Sequence, residues 1–158
     1  MHPNAQAVAE ALKSAGAAGE VRELQDSART AAEAAAALGC EIGAIANSLV
    51  FMADDVPILV LTSGAHRVDT AFLAERLGAT VLRRASADQV RAATGQPIGG
   101  VAPVGHPAPV RTLIDVALQA FPVIWAAGGT PHTVLPTGYD ELVRICAAEP
   151  VSVVPDDT

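Results

Sequence analysis

The sequence predicts one α+β domain built around a mixed β-sheet, and three observations support this prediction. The 158 residues match the size of one ordinary domain. Helical and strand-like segments alternate irregularly, and neither an internal repeat nor a linker divides the chain. The chain is 51% hydrophobic but has only five aromatic residues. We therefore expect a core of Ala, Val, Leu and Ile on closely packed elements.

In the first part of the chain, helices are predicted where a capping residue precedes an apolar repeat and a glycine follows it. These helices span residues 3–14, 30–39, 69–78 and 86–95. Strands are predicted where short apolar runs lie between turn residues. They span residues 21–24, 42–52, 56–62 and 81–83, and the acidic turn Asp54-Asp55 joins the second to the third.

Residues 95–109 have a different character, because they contain four glycines and four prolines. Such a composition excludes a helix or a central strand, and a loop of this length is more often functional than idle. After this loop we predict a helix at 112–119, strands at 123–127 and 133–136, and a helix at 139–147. Residues 151–158 are predicted to be a strand end or a tail.

Composition also restricts the possible partners and compartment. Seventeen acidic residues against ten basic ones give a formal charge of −7, which argues against a general nucleic-acid-coating protein and against DNA. A small basic patch for one RNA end remains compatible with this charge. The apolar run 116–139 contains three prolines and a glycine pair that would break a membrane helix, and no signal peptide is visible. We expect a cytoplasmic protein without a membrane contact.

No metal or cofactor is expected. Cys40 and Cys146 lie 106 positions apart without CxxC or Cys/His spacing, so both are interpreted as buried thiols in a reducing compartment. The four histidines show no ligand spacing, and no Walker loop, GxSxG elbow or HExxH motif occurs. Lys13 is the single lysine, which argues against a mechanism based on a pocket lysine.

Asn47 is the first candidate functional residue. Alternation along the predicted strand places it on the same face as Ile45, Leu49 and Phe51. An amide on an apolar face costs about 1–3 kcal/mol unless it is paired. Asn47 is therefore either satisfied by neighbouring backbone or lines a pocket that holds a substrate.

Three further groups permit both a structural and a functional interpretation. The glycines of Gly99-Gly100-Val101-Ala102-Pro103 let the main chain approach a ligand and expose N–H groups to an oxyanion. The turn Gly128-Gly129-Thr130-Pro131-His132 carries a histidine suited to proton transfer near neutrality. Five of the ten basic residues lie within 25 positions, and arginine suits phosphate. These five are Arg67, Arg76, Arg83, Arg84 and Arg91.

The segments IANSLVF, VLTSGAHRVD, TGQPIGGVAPVGHP and AGGTPHTVLPTGYDELVRI resemble the YbaK/EbsC family of free-standing aminoacyl-tRNA deacylases. This family is related to the editing domain of bacterial prolyl-tRNA synthetase. The resemblance implies one editing domain over 1–158, with its core at about 28–151, an N-terminal helix at about 3–15 and a barrel-like mixed sheet. It implies hydrolysis of the ester of a misacylated tRNA, such as tRNA(Pro) or another tRNA carrying Ala, Ser, Thr or Cys.

The resemblance also implies roles for individual residues. Catalysis is assigned to Asn47, Gly100, Val101 and His132. Substrate binding is assigned to Ser48, Gly99, Pro103, Gly105, His106, Gly129 and Thr130. Binding of the tRNA acceptor end is assigned to Arg67 and Arg84, with a synthetase as a further candidate partner. Many members carry lysine where this chain has Asn47, so the alternative is a catalytically weak module that binds tRNA or a synthetase through the same pocket.

Overall fold

The computed structural model describes residues 1–155, in which five α-helices and eight β-strands form an α+β domain. The helices are α1 (Pro3–Ser14), α2 (Ala31–Leu38), α3 (Thr70–Leu77), α4 (Ala87–Thr94) and α5 (Tyr139–Cys146). The first four strands are β1 (Arg22–Glu23), β2 (Ile45–Ala53), β3 (Val56–Ser63) and β4 (Leu82–Arg84). The other four are β5 (Arg111–Asp115), β6 (Ile124–Ala127), β7 (Thr133–Thr137) and β8 (Glu149–Val151).

The strands form one mixed sheet, as predicted. The order is β1-β7-β6-β2-β3-β5-β8, and β4 pairs separately with β2. The pairs β2–β6, β3–β5 and β5–β8 are parallel, whereas the other pairs are antiparallel. Asp54 and Asp55 both adopt positive φ in the tight turn between β2 and β3. This confirms the acidic turn predicted between the two strands, which pair as a hairpin.

The helix ends follow the predicted capping chemistry. The side chains of Thr30, Asp69 and Ser86 each accept a hydrogen bond from the backbone N–H three residues later. The three helices that follow these caps end at glycines with φ between 66° and 74°. Left-handed backbone of this kind favours glycine because a Cβ atom would be strained there.

The helix predicted at 112–119 is wrong. Residues 111–115 form β5, and a 3-10 helix follows at Val116–Ala120. A strand forms here instead of a helix because β5 pairs in parallel with the central strand β3. Leu113 and Ile114 are buried in this arrangement. Tertiary pairing thus overrides the local pattern. A smaller correction concerns residues 42–44, which form a 3-10 helix before β2 begins at Ile45.

The C-terminal prediction is correct only in part. Strand β8 begins at Glu149, two residues before the expected start, and ends at Val151. The last three positions of the expected tail, 156–158, lie outside the described residues. Within the described part of the chain, no helix is both long and apolar enough to cross a membrane.

Strand β2 has a gap along one of its edges, and this gap positions the site. On one side β2 pairs with β3 from Ala46 to Ala53. On the other side it pairs with β6 at Ile45 and Ala46, and with β4 from Phe51 onwards. Within the described residues 1–155, positions 47–50 therefore have no strand partner on this side. The sheet opens there between β6 and β4.

Candidate functional site

A cavity of about 670 Å³ lies at the gap beside β2. Its walls come from β2 and from the segments that surround the gap: the start of α2, the loop after β3, the end of β4 and the glycine loop. The lining residues that matter for its chemistry are Arg29, Asn47, Ser48, His66, Arg67, Arg84, Gly99 and Val101. Six of the thirteen residues expected at the site from sequence line this cavity, namely Asn47, Ser48, Arg67, Arg84, Gly99 and Val101. The strand motif and part of the glycine loop are therefore neighbours in the structure.

Asn47 lies on the cavity wall, half-buried. Within residues 1–155 its side-chain amide has no hydrogen-bond partner. In the β2–β3 ladder it lies opposite Thr62, so the two side chains share one face of the sheet. A polar group that the protein leaves unpaired beside a cavity is available to a ligand.

Ser48 contributes unpaired groups from both its side chain and its backbone. Its Oγ is buried and has no hydrogen-bond partner in the described chain. The Val50 carbonyl accepts from the Ala85 N–H at 3.0 Å, on the side of β4. Because backbone groups alternate sides along an antiparallel ladder, the N–H and C=O of Ser48 point to that same side, into the gap. Ser48 thus offers a donor and acceptors to a bound molecule.

The glycine loop contributes one free amide at the cavity. The Gly100 N–H donates to the Pro97 carbonyl at 2.9 Å, which closes a turn. The next N–H, that of Val101, has no acceptor among residues 1–155, and Val101 lines the cavity. Of the two amides expected to hold an oxyanion, that of Val101 is available, whereas that of Gly100 is already bonded.

Gly99 and Gly100 permit close packing of this loop. A Cβ atom at Gly99, whose φ is +82°, would lie 2.3 Å from the Arg29 Cγ. At Gly100 it would lie 2.6 Å from the carbonyl carbon of Thr130. The pair of glycines therefore brings the loop against two other segments, and this is the close approach that glycine allows.

A buried glutamine organises the loop, and sequence reasoning missed it. Gln96 is 2% exposed. Its Oε1 accepts from the Ala102 N–H at 2.8 Å, and its Nε2 donates to the Val104 carbonyl at 3.3 Å. The side-chain amide of Gln96 thus pairs with one backbone group on each side of Pro103. A glutamine between Gly95 and Pro97 carries no sequence signal that would distinguish it from a surface residue.

Three expected substrate-binding residues lie outside the cavity, within the body of the loop. His106 Nε2 lies 2.8 Å from the Ala102 carbonyl, and burial lowers the pKa of His106 while this hydrogen bond opposes the shift. Gly105 packs against Val8 of α1. Pro103 is buried, and its carbonyl lies 3.5 Å from Cys146 Sγ. Their contacts hold the loop in place.

His132 and Thr130 line a different cavity, of about 360 Å³, with the start of α1 and with β1. The His132 side chain is exposed, and its backbone carbonyl accepts from the Leu24 N–H at 2.7 Å. Thr130 hydrogen-bonds Thr133 within the turn, and Gly129 packs against Asn4 of α1. The structure therefore does not bring these three residues to the cavity of Asn47.

Three arginines surround the Asn47 cavity without ion pairs in residues 1–155. Arg67 and Arg84 were expected, whereas Arg29 was not. The Arg84 guanidinium lies 5.7 Å from the centre of the Phe51 ring, a cation–π contact that leaves its N–H groups free. Three unpaired guanidinium groups give a locally positive rim on an acidic protein. Such a rim suits phosphate.

Sequence reasoning also missed a pair formed by His66 and Asp115. His66 Nδ1 lies 2.8 Å from Asp115 Oδ2, and His66 lines the Asn47 cavity. The two residues are 49 positions apart, so no local spacing indicated the contact. Asp115 lay within the segment that was predicted to be a helix, and this error concealed its position at the end of a central strand.

Among the described residues, no group of three or more His, Cys, Asp or Glu side chains could hold a metal ion. The thiols are not activated either. Burial raises the pKa of Cys146 to about 12 and also raises that of Cys40. A thiolate nucleophile at neutral pH is disfavoured by such shifts.

Comparison with known proteins gives concordant matches. A family model of the aminoacyl-tRNA editing domain matches residues 25–145. The protein YwhH of Bacillus subtilis is 30% identical over 117 residues, which cover 73% of this chain and 74% of YwhH. The proline–tRNA ligase of Bacillus licheniformis is 36% identical over 110 residues, which cover 67% of this chain and 19% of the ligase.

The ligases that match are thus much longer proteins, and the matched region spans less than a fifth of the length of three of them. A solved structure described as a candidate trans-editing enzyme for prolyl-tRNA synthetase superposes with a TM-score of 0.89 at 39% identity. That superposition covers 99% of both chains. The family model covers well over half of the sequence, and the fold agrees throughout. The chain therefore belongs to the aminoacyl-tRNA editing domain family.

Proposed function

We propose that this protein hydrolyses the ester bond that joins a wrong amino acid to the 3′ end of a tRNA, acting in trans. The observation that carries the proposal is the cavity at the β2 gap. There the Asn47 amide, Ser48 Oγ and the Val101 N–H all lack partners within residues 1–155. Unpaired polar groups in one cavity fit a polar ligand of about the size of an aminoacyl group on a ribose.

The proposed chemistry requires a water molecule and an oxyanion site. Water attacks the ester carbonyl carbon, and the developing oxyanion accepts a hydrogen bond from the Val101 N–H. Such a preorganised donor costs no reorganisation when the charge develops. Asn47 and Ser48 hydrogen-bond the aminoacyl group or the ribose. Collapse of the intermediate releases the amino acid and the free 3′ end of the tRNA.

The arginine rim supports binding of a nucleic-acid end. Arg29, Arg67 and Arg84 can each contact a phosphate of the acceptor strand, although the chain as a whole carries a charge of −7. Three such contacts to a single strand predict a slope of about −2 for log K against log salt concentration. A local rim on an acidic protein favours one short strand rather than extended coating.

The substrate class we propose is a tRNA charged with a small residue, namely Ala, Ser, Thr or Cys. The tRNA is tRNA(Pro) or another acceptor, because relatives include proline–tRNA ligases. An apolar wall discriminates by only about 1–3 kcal/mol per methylene, so several small residues are expected as substrates. We further propose that the protein is located in the cytoplasm, where translation supplies such tRNAs. A synthetase is a candidate partner.

One observation favours a second function, a module that binds misacylated tRNA without hydrolysing it. Asn47 occupies the motif position where many YbaK-like proteins carry lysine, and Lys13 in α1 is the single lysine of the chain. A neutral amide holds a phosphate or a developing charge less strongly than an ammonium group does.

A panel of misacylated tRNAs separates the two functions. The parent protein is incubated with each tRNA, and both released amino acid and retained complex are measured. Multiple turnovers on at least one small-residue tRNA support hydrolysis. Tight retention without release supports the binding module. If no tRNA in the panel is either hydrolysed or retained, both functions are rejected. The matched control is the correctly charged tRNA, which should be neither retained nor hydrolysed preferentially.

A further inference from the structure

A row of polar side chains crosses the sheet and ends at His66. Asn47 on β2 lies opposite Thr62 on β3. Thr62 Oγ1 donates to Asp115 Oδ2, at the end of β5, at 3.3 Å. The same oxygen lies 2.8 Å from His66 Nδ1. Three neighbouring strands thus connect the Asn47 wall of the cavity to the histidine beside it.

Asp115 is held as an acceptor of hydrogen bonds. It is 1% exposed. Its Oδ2 accepts from the Ser63 N–H at 3.0 Å and from Thr62 Oγ1, and its Oδ1 accepts from the Ala117 N–H at 3.0 Å. A buried carboxylate with this many donors is fixed in orientation. It therefore determines which ring nitrogen of His66 carries the proton.

The contact with Asp115 places the proton on His66 Nδ1, because a carboxylate can only accept there. Nε2 is then the nitrogen with a free lone pair, and within residues 1–155 it has no hydrogen-bond partner. The His66 side chain is 31% exposed and lines the Asn47 cavity. Since Nδ1 is engaged by the buried carboxylate, Nε2 is the ring nitrogen that remains for a ligand in this cavity.

We propose that His66 is the general base of the hydrolysis and that Asp115 is the residue that positions it. This inference rests on the proposed function. Nε2 takes one proton from the water as its oxygen forms the bond to the ester carbon. The resulting imidazolium gives this proton to the 3′ oxygen as the carbon–oxygen bond to the ribose breaks. Ester and water are thereby converted to a carboxylic acid and a 3′ hydroxyl, with His66 returned to its starting form.

The other histidines do not fit this role. His106 Nε2 donates to the Ala102 carbonyl inside the loop, so it is not available to a substrate. His132 lines the second cavity, and His2 caps α1 by accepting the Asn4 N–H at 3.0 Å. All four histidines lie in the described chain, and of these His66 alone lines the cavity that contains Asn47. A purely structural role for the pair, closing the end of β3, is the competing interpretation.

Single-turnover kinetics with binding measured separately distinguish these interpretations. His66→Gln and His66→Ala should lower the rate of ester hydrolysis by about 10²–10⁴-fold, the usual contribution of general acid–base catalysis. Affinity for a tRNA carrying the amino acid through a stable amide should change less than threefold. Added imidazole should restore part of the rate of His66→Ala. The matched control is His2→Asn, which keeps a capping side chain and should hydrolyse at the parent rate.

If the His66→Gln protein hydrolyses the ester as fast as the parent, the base role is overturned. It is also overturned if a loss of tRNA affinity accounts for the whole loss of rate. An inactive parent rejects the proposed function itself, so the two failures are distinguishable. A second test, which needs no substrate, is to determine by ¹⁵N NMR which ring nitrogen of His66 carries the proton. Protonation at Nδ1 is expected, and protonation at Nε2 overturns the proposal. Asp115→Asn should shift the ring towards the Nε2–H form and lower the rate at unchanged affinity.

Discussion

Gly100 packs directly on the backbone of Thr130, so that a Cβ atom at position 100 would lie 2.6 Å from the Thr130 carbonyl carbon. Backbone atoms cannot move aside as the end of a flexible side chain can. This contact joins the glycine loop to the turn before β7. It also connects the Asn47 cavity to the cavity of His132, because Val101 lines the former and Thr130 the latter.

The first prediction follows from this contact. Gly100→Ala should displace the loop, lower the free energy of unfolding by about 1–3 kcal/mol and reduce hydrolysis because the Val101 N–H moves. Urea unfolding and the single-turnover rate measure the two effects. Gly138→Ala is the matched control, since a Cβ atom there would lie no nearer than 3.9 Å to its neighbour, the Pro122 carbonyl oxygen. A fully active and fully stable Gly100→Ala protein would contradict the close approach.

Asn47 is the subject of the second prediction. Its amide has no partner in the described chain, so Asn47→Ala should cost less than about 1 kcal/mol of stability. Most of the hydrolysis should nevertheless be lost, because a substrate contact disappears. Asn47→Lys supplies the cation that many YbaK-like proteins carry. If Asn47 adapts the site to a particular substrate, this variant should change which tRNA is cleaved. If both variants match the parent on every tRNA, Asn47 lies outside the site.

The third prediction concerns Gln96, whose amide holds the loop on both sides of Pro103. Gln96→Met keeps the length of the side chain but removes its hydrogen bonds, which leaves the Ala102 N–H without its acceptor. An unsatisfied buried group costs about 1–3 kcal/mol, so the melting temperature should fall. Gln6→Met, at an exposed position of α1, should leave it unchanged. Equal melting temperatures of the two variants would contradict the assigned role.

The fourth prediction is a pH dependence of stability that arises from His106. Burial holds the pKa of His106 below its usual value in the folded protein. The unfolded chain therefore binds more protons than the folded chain once the pH falls below about 6.5, and stability decreases in that direction. His106→Gln keeps an amide donor near the Ala102 carbonyl and cannot titrate. Urea titrations at pH 5 and pH 7.5 should show a smaller difference for this variant, and an equal difference rejects the cause.

The sequence by itself determined the ends of the capped helices, the glycine approach of the loop and the strand that carries Asn47. These features are local: a cap, a left-handed glycine or a period of two depends on residues a few positions apart. Thr30, Asp69 and Ser86 therefore predicted their helices correctly. The two glycines after Pro97 likewise indicated a backbone approach that the structure contains.

Only the tertiary structure decided what depends on contacts between distant segments. Residues 111–115 became a strand because β3 offered a parallel partner, not because of their local pattern. That pairing put Asp115 beside His66, and the missing partner of residues 47–50 opened the cavity at which His66, Asn47 and Val101 meet. In the same packing His132 lies at a second cavity and not at that of Asn47. Strand pairing joins residues regardless of their separation in the chain, so it cannot be predicted from the spacing of residues along the sequence.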